Sequence, residues 1–253
     1  MSRVDSLPRP AAVWHRVRAL ADSALDAWLP RACALCEGPL RQAGAGLCGH
    51  CRLALPGRNR ARCPRCALGL DAAGCAACAG HAFAFQASRV LADYAPPLDR
   101  LIGAVKFDRQ LGLAHALGRE LRRGLAPALR AALGAGADAA VVAVPLSAER
   151  LRERGFDQAA VLARALADGL GLPLLPALTR ARATQAQSRL DLAARSRNLQ
   201  DAFRPRALHP RLPARVVLVD DVITTGATAD AAARALIAAG ARRVIVAAVA
   251  RTP

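Results

Sequence analysis

Two sets of residues in this 253-residue chain have the types and spacing to do chemistry. The first is VVLVDDVITTGAT, residues 216–228. Four consecutive apolar residues suit a strand buried on both faces of a parallel sheet, ending at the carboxylates of Asp220 and Asp221. Thr224, Thr225, Gly226, Ala227 and Thr228 follow, and residues 229–239 form an alanine-rich helical run closed by Gly240. Backbone N–H groups at a helix N-terminus, beside a glycine free to take positive φ and three hydroxyls, make an anion site. Paired acids next to a bound anion must face something else, and sugar hydroxyls or a divalent cation fit. A sugar phosphate answers both demands. The plainer alternative is a strand–turn–helix whose acids cap the turn.

The second set is eight cysteines in four CxxC pairs: Cys33/Cys36, Cys48/Cys51, Cys63/Cys66 and Cys75/Cys78. Four pairs in succession point to structural zinc rather than to disulfides or a redox dithiol. Two four-cysteine sites and two Zn2+ follow. The intervening loops of 11, 11 and 8 residues favour pairing first with second and third with fourth, with an interleaved arrangement left open. A span this poor in large apolar groups needs metal to supply folding energy. Arg58, Arg60, Arg62 and Arg65 surround the third pair and suggest a nucleic-acid or partner surface; the alternative is a solvated ribbon acting as a lid or dimer face. The ribbon lacks aromatic stacking platforms, so nucleic-acid contact there would be electrostatic.

The elements that must position these residues alternate. Residues 87–94 alternate in polarity like a half-buried strand, 96–107 and 111–125 read as helices, and 141–144 is a buried strand ending at Pro145. A loop over 146–155 leads to a helix over 157–170, a short strand falls within 172–178, and 180–213 is a long, mobile, basic segment. The strand before the acid pair, its helix and a strand over 244–249 complete the chain. The fold class is therefore α/β, a Rossmann-like parallel sheet with ligands at the strand carboxyl ends, preceded by a small cysteine-rich zinc-ribbon domain. Three units are expected: an amphipathic N-terminal helix (1–30), a double zinc ribbon (31–82) and the α/β domain (83–253). Trp14, Val17, Ala21, Leu25 and Trp28 give the first helix an apolar stripe, for packing on the body or for a membrane or partner surface.

Composition narrows the class of protein. Of 36 basic residues only Lys106 is lysine, and 19 acids leave a formal charge of +17. Arginine richness is partly a coding bias, but the net excess favours encounter with polyanions, and loading eight thiolates with two Zn2+ lowers it by only four. No apolar run approaches the roughly 20 residues of a bilayer span. Asp5, Pro8 and Pro10 replace the apolar core of a signal peptide, which places the chain in the cytoplasm, with peripheral attachment at the inner membrane left open.

Residues 216–228 resemble the phosphoribosyl pyrophosphate (PRPP) motif of type I phosphoribosyltransferases: four apolar residues, two acids, then a threonine- and glycine-rich loop. The resemblance implies that Asp220 and Asp221 are the catalytic acids that hold the ribose hydroxyls, and that Thr224, Thr225, Gly226, Ala227 and Thr228 bind the 5′-phosphate, with Mg2+ accompanying PRPP. Over nearly its whole length the chain is similar to the ComF family, associated with competence for DNA uptake. Residues 144–159, VPLSAERLRERGFDQA, resemble that family's VP…RGFNQ signature at the pyrophosphate loop, where Arg150, Arg152 and Arg154 suit an anionic leaving group. Asp157 stands where the family usually has Asn, exchanging a donor and acceptor for an acceptor alone. Arg182, Thr184, Gln187, Leu190, Arg195, Asn198 and Phe203 reproduce the family's spaced R-T-Q-L-R-N-F pattern and imply a flexible loop that closes over the ligand. Residues 94–107 resemble its approach to a lysine, here Lys106. The function implied is a PRPP-binding protein linked to DNA uptake and natural transformation, contacting single-stranded DNA through its basic surface. An active phosphoribosyltransferase with an unidentified acceptor and a non-catalytic PRPP sensor are the alternatives, and the resemblance leaves the oligomeric state open.

Overall fold

The structure is a computed structural model that describes residues 32–42, 45–70, 74–79, 81–136, 138–180, 202–207 and 211–253. The expected helix over 11–29, Arg182 and Arg195 lie outside the described residues.

Four parallel strands form the central sheet in the order β1–β6–β5–β2: β1 (Ala87–Asp93), β2 (Ala139–Ala143), β5 (Arg215–Ile223) and β6 (Arg243–Arg251). β5 lies between β6 and β2, and both its faces are buried, as its unbroken apolar run requires. Val217 and Val219 join one core with Leu121, Leu129, Leu162 and Leu166; Val216 and Leu218 join the other with Phe203 and Leu236. The first core is built with α3 (Leu98–Phe107), α4 (Leu111–Leu133) and α6 (Gln158–Leu170), and the second with α7 (Ala227–Ala238). An antiparallel hairpin, β3 (Leu178–Arg180) and β4 (Phe203–Pro205), adds to the second face. Alanines 231, 232, 233 and 235 are buried on α7, where small side chains let a helix sit close to a sheet.

Several boundaries differ from expectation. β5 does not stop at the acids but runs on to Ile223, because β6 continues beside it and pairs Asp220 with Ala248, Val222 with Ala250 and Ile223 with Arg251. α4 continues eight residues past 125, through Pro127, since Leu125, Leu129 and Leu133 keep a buried stripe at four-residue spacing. The expected loop over 146–155 contains a helix, α5 (Ala148–Arg154), started by Ser147 Oγ accepting from Arg150 N (3.3 Å) and ended by Gly155 at φ 78°. Of residues 172–178, Pro173 and Leu175 exchange backbone bonds with Val141 (both 2.9 Å), and only Leu178 enters β3.

Before β1 the chain makes two like knuckles. Cys33 N donates to Gly38 O and Cys63 N to Leu68 O, both at 2.8 Å, and the turns place Glu37 and Ala67 at the same positive φ of 58°. Short helices α1 (Gly49–Leu53) and α2 (Ala76–Ala79) carry the last cysteine of each group. Among the described residues no helix is long and apolar enough to cross a membrane.

Candidate functional site

The acid pair sits near the carboxyl end of β5, and the two carboxylates are treated differently. Asp221, 8% exposed, is gripped on both oxygens: Lys106 Nζ lies 3.0 Å from Oδ1, and Gln158 Nε2 donates to Oδ2 at 2.9 Å. Lys106 comes from the last turn of α3 and Gln158 from the first turn of α6, so two helices converge on one carboxylate. Asp220 Oδ1 accepts from Asp221 N (2.8 Å), and Oδ2 has no protein partner among the described residues. Burial and the neighbouring Asp221 charge push the Asp220 carboxyl up to about 7, against the opposing pull of Lys106. An acid in that position gains from a hydroxyl donor or a cation.

The loop beyond β5 leads into the first turn of α7. Gly226 is the N-cap residue with φ 86°, and a Cβ placed there would lie 2.9 Å from Phe83 Cε1, so glycine is required twice over. Thr224 is exposed, Thr225 and Thr228 are half-buried, and Thr225 Oγ1 accepts from Ala227 N (3.3 Å). Residues 224–228 thus link the carboxyl end of β5 to the first turn of α7.

Of the arginines expected opposite a leaving group, Arg154 faces Asp221, and burial pulls its pKa down. Arg150 stands in the same α5, close enough to Arg154 and Arg180 to oppose their charges. Arg180, at the end of β3, lies over the Phe203 ring (5.4 Å) and is attracted by Asp220. Asp157 caps α6 through Ala160 N (3.1 Å) and accepts from Leu146 N (3.4 Å); burial raises its pKa. The Asn-to-Asp exchange at that position thus falls on a capping role that either residue performs.

Gln158 and Arg180 were not among the expected site residues. Gln158 belonged to the quoted RGFDQ stretch, and its signal was its place in the first helical turn beside the acids. Its Oε1 is buried with no hydrogen-bond partner among the described residues, which leaves an acceptor for a ligand donor.

The cysteines form two groups, Cys33/Cys36/Cys48/Cys51 and Cys63/Cys66/Cys75/Cys78, with all sulfurs of a group within 4.8 Å of one another. This is the sequential pairing. Sulfur separations of 3.7 Å (Cys36–Cys48, Cys63–Cys78) and 3.3 Å (Cys66–Cys75) are near the edge of a tetrahedron with ~2.3 Å metal–sulfur bonds. Burial raises every affected thiol, yet N–H donors bring Cys33 down to about 6 and Cys63 to about 7, while crowding by neighbouring thiols drives Cys51 and Cys78 upward. Four thiolates this close cannot ionise together without a cation, and Zn2+ fits the donor set.

The knuckle arginines are largely committed within the protein. Arg62 pairs with Asp93 (2.7 Å) and donates to Gly57 O (2.8 Å), Arg65 donates to Phe83 O (2.7 Å), and Arg58 donates to Arg52 O (3.0 Å). Only Arg60 is loosely held, 3.8 Å from Asp93. Arg62 and Arg65 brace the ribbon, while Arg58 and Arg60 are exposed on it.

A parallel sheet with an acid pair and a threonine- and glycine-rich loop at its carboxyl edge fits the phosphoribosyltransferase class, and residues 157–253 match the family model for the phosphoribosyl transferase domain. Over 230 residues, 88% of this chain and 98% of the relative, the chain is 37% identical to the "DNA utilization protein YhgH" of Salmonella typhimurium. It is 36% identical to the protein of the same name from Escherichia coli K12 over 227 residues, with the same shares covered. It is 31% identical to "Competence protein F" of Haemophilus influenzae over 218 residues, 85% of this chain and 94% of the relative. The chain belongs to the ComF family of the type I phosphoribosyltransferase superfamily, its two four-cysteine groups fitting an N-terminal double zinc ribbon.

Proposed function

We propose that this protein binds PRPP with Mg2+ at the β5–α7 edge and uses that site in handling incoming DNA in the cytoplasm. The observation that carries the reading is the inequality of the two acids. Asp221 is locked by Lys106 and Gln158, whereas Asp220 offers an uncommitted oxygen beside the anion loop. In this reading Asp220 and Asp221 meet the ribose hydroxyls, Asp220 also holds Mg2+, and residues 224–228 hold the 5′-phosphate. Arg150 and Arg154, with Lys106 and the loop arginines Arg182 and Arg195, serve the pyrophosphate side. Mg2+ supplies charge neutralisation on the pyrophosphate. Residues 31–82 act as the zinc ribbon and 83–253 as the PRPP-binding domain.

Equilibrium binding of labelled PRPP tests this. Asp220→Asn combined with Asp221→Asn abolishes binding while both zinc ions stay; binding retained in the double variant rejects the assignment. Turnover is a separate matter: in a transfer the bond from the anomeric carbon to pyrophosphate breaks, one to an acceptor forms, and the acceptor loses a proton. Pyrophosphate release, screened against bases, amines and single-stranded DNA, separates an enzyme from a sensor.

The polyanion reading has its own support, away from the knuckles. Arg204, Arg206, Arg211, Arg242 and Arg243 are exposed at the amino ends of β5 and β6 and on the hairpin, and none makes an ion pair among the described residues. Arg206 and Arg211 line a cavity of about 320 Å3 with Leu212 and Ala239. Single-stranded DNA affinity that falls steeply with salt, and falls further in Arg242→Glu with Arg243→Glu, supports contact there; a flat salt dependence rejects it.

A further inference from the structure

Arg251 joins the second cysteine cluster to the phosphate loop, and among the described residues no hydrogen bond joins the first cluster to that loop. Arg251, the last residue of β6, is only 5% exposed and has no carboxylate partner among the described residues. Its Nε donates to Cys66 O (3.1 Å), and its Nη1 donates to Ile223 O (3.3 Å), Thr252 O (2.6 Å) and Thr224 O. One guanidinium thus joins the backbone of a cysteine ligand to the backbone where β5 turns into the phosphate loop. The backbone carbonyls satisfy the buried guanidinium, and a Zn2+ held by four thiolates, with a net charge of two minus, would favour a cation beside it.

A second strap runs beside the first. The chain leaving this cluster places Phe83 against Gly226 and stacks it on Phe85 (4.7 Å between ring centres). Ala84 N donates to Asp230 Oδ1 (2.5 Å) in the first turn of α7, and His81 Nε2 lies 3.6 Å from the other oxygen of Asp230. The loop is therefore joined to the second ribbon at Thr224 through Arg251, and at its middle Gly226 packs against Phe83, whose carbonyl accepts from Arg65 of the ribbon (2.7 Å).

We infer that Arg251 is a positioning residue that couples metal in the second cluster to the shape of the phosphate loop, so that zinc there and PRPP support each other's binding. The coupling rests on the PRPP reading above; the geometry of the strap does not. Linkage makes it reciprocal: whatever zinc does for PRPP affinity, PRPP does for zinc retention.

Two variants separate charge from geometry. Arg251→Lys keeps the cation but cannot reach four carbonyls. It is expected to hold two zinc ions per chain, to raise amide exchange over residues 224–228 without any ligand, and to lose about tenfold in PRPP affinity. Arg251→Gln is expected to do the same and also to release zinc faster from the second cluster, with the first cluster unchanged. Should neither variant fold, the unaltered chain decides. With PRPP bound, alkylation of Cys63, Cys66, Cys75 and Cys78 under chelator slows, while that of Cys33, Cys36, Cys48 and Cys51 does not. Slowing at both clusters, or at neither while PRPP is bound, overturns the inference. If the unaltered chain binds no PRPP, the PRPP reading fails. Ligand-free exchange at 224–228 then decides the strap: unchanged in Arg251→Gln, it overturns the strap; accelerated, it supports the strap.

Discussion

Residues 32–39 and 62–69 fold into the same knuckle, with matching turn bonds and matching positive φ at Glu37 and Ala67, yet they are docked in different ways. The first is held by Glu120 of α4, 2% exposed, which accepts from Gly46 N (2.9 Å), Leu47 N (3.0 Å) and Arg52 Nε (2.6 Å). Gly46 lies so close to α4 that a Cβ there would overlap Ala116 O. Every one of these contacts is to the outer face of a helix, within the core that holds Cys33, Leu47 and Cys51. The second knuckle is held by Arg62 on Asp93, by Ser88 Oγ donating to Arg65 O (2.7 Å), and by Arg251. Its contacts are to the sheet edge and to the loop after the acids. A repeated module can thus serve as a prop in one copy and as part of a site frame in the other, and the difference lies in which surface each copy was given.

The largest effect that would separate the copies comes from removing each metal. Cys63→Ser with Cys66→Ser is expected to lose one zinc and to weaken PRPP binding more than about tenfold, whereas Cys33→Ser with Cys36→Ser loses one zinc and several kcal/mol of stability with affinity nearly kept. Metal analysis, thermal melts and PRPP titration read all three quantities; equal losses of affinity would erase the distinction.

Next in size is Glu120→Gln, which removes the buried carboxylate paired with the half-buried Arg52 and is expected to cost about 3 kcal/mol in chemical denaturation, with PRPP affinity unchanged. Burial raises the Glu120 pKa, but the Arg52 guanidinium and two N–H donors more than offset it and hold the carboxyl below the usual range. Its contribution is therefore complete above the unfolded pKa, about 4.3, and is lost as pH falls through the lower folded value. The variant should show a shallower loss of stability on acidification, and an unaltered acid limb would contradict the pairing.

A smaller and opposite pH effect belongs to the site. Asp220 has a raised pKa in the folded chain, about 7, so the folded state binds the proton more tightly than the unfolded state. Stability without ligand then declines as pH rises from about 4 to 7 and levels off above. Asp220→Asn should be near neutral at pH 4 and stabilising by on the order of 1 kcal/mol at pH 8. A variant equally stable or less stable than the parent at both pH values would mean that Asp220 is not strained by burial. Smallest of all is Arg60→Ala, whose partner is 3.8 Å away and whose side chain is 47% exposed; melts should move by less than about 0.5 kcal/mol. Arg62→Ala, on the same acid, should cost several times more.

Much of this was legible in the residues. The apolar run before Asp220, the CxxC spacings and the alternation of elements carry local signals that survive folding, because β5 is buried on both faces and each knuckle closes on itself. What was not legible depends on long separations. Nothing near Arg251 announces that it meets Cys66, 185 residues away, and Glu120 reads as an ordinary helix-surface acid until Gly46 and Leu47 arrive from 74 and 73 residues earlier. The arginines at 58–65 show the same limit: as a run they resemble a patch, and only the fold supplies the Asp93 carboxylate and the carbonyls that Arg62 and Arg65 bind. The end of β5 was missed because strand length is set by the neighbour β6, not by the polarity of Asp220 and Asp221.

The most direct test of the link between ribbon and site is amide exchange of the zinc-loaded chain with and without PRPP and Mg2+. Slowed exchange is expected over residues 220–228 and over the second knuckle, 62–70, with the first knuckle, 32–42, unchanged. Protection absent from 220–228, or equal at the two knuckles, would contradict that link.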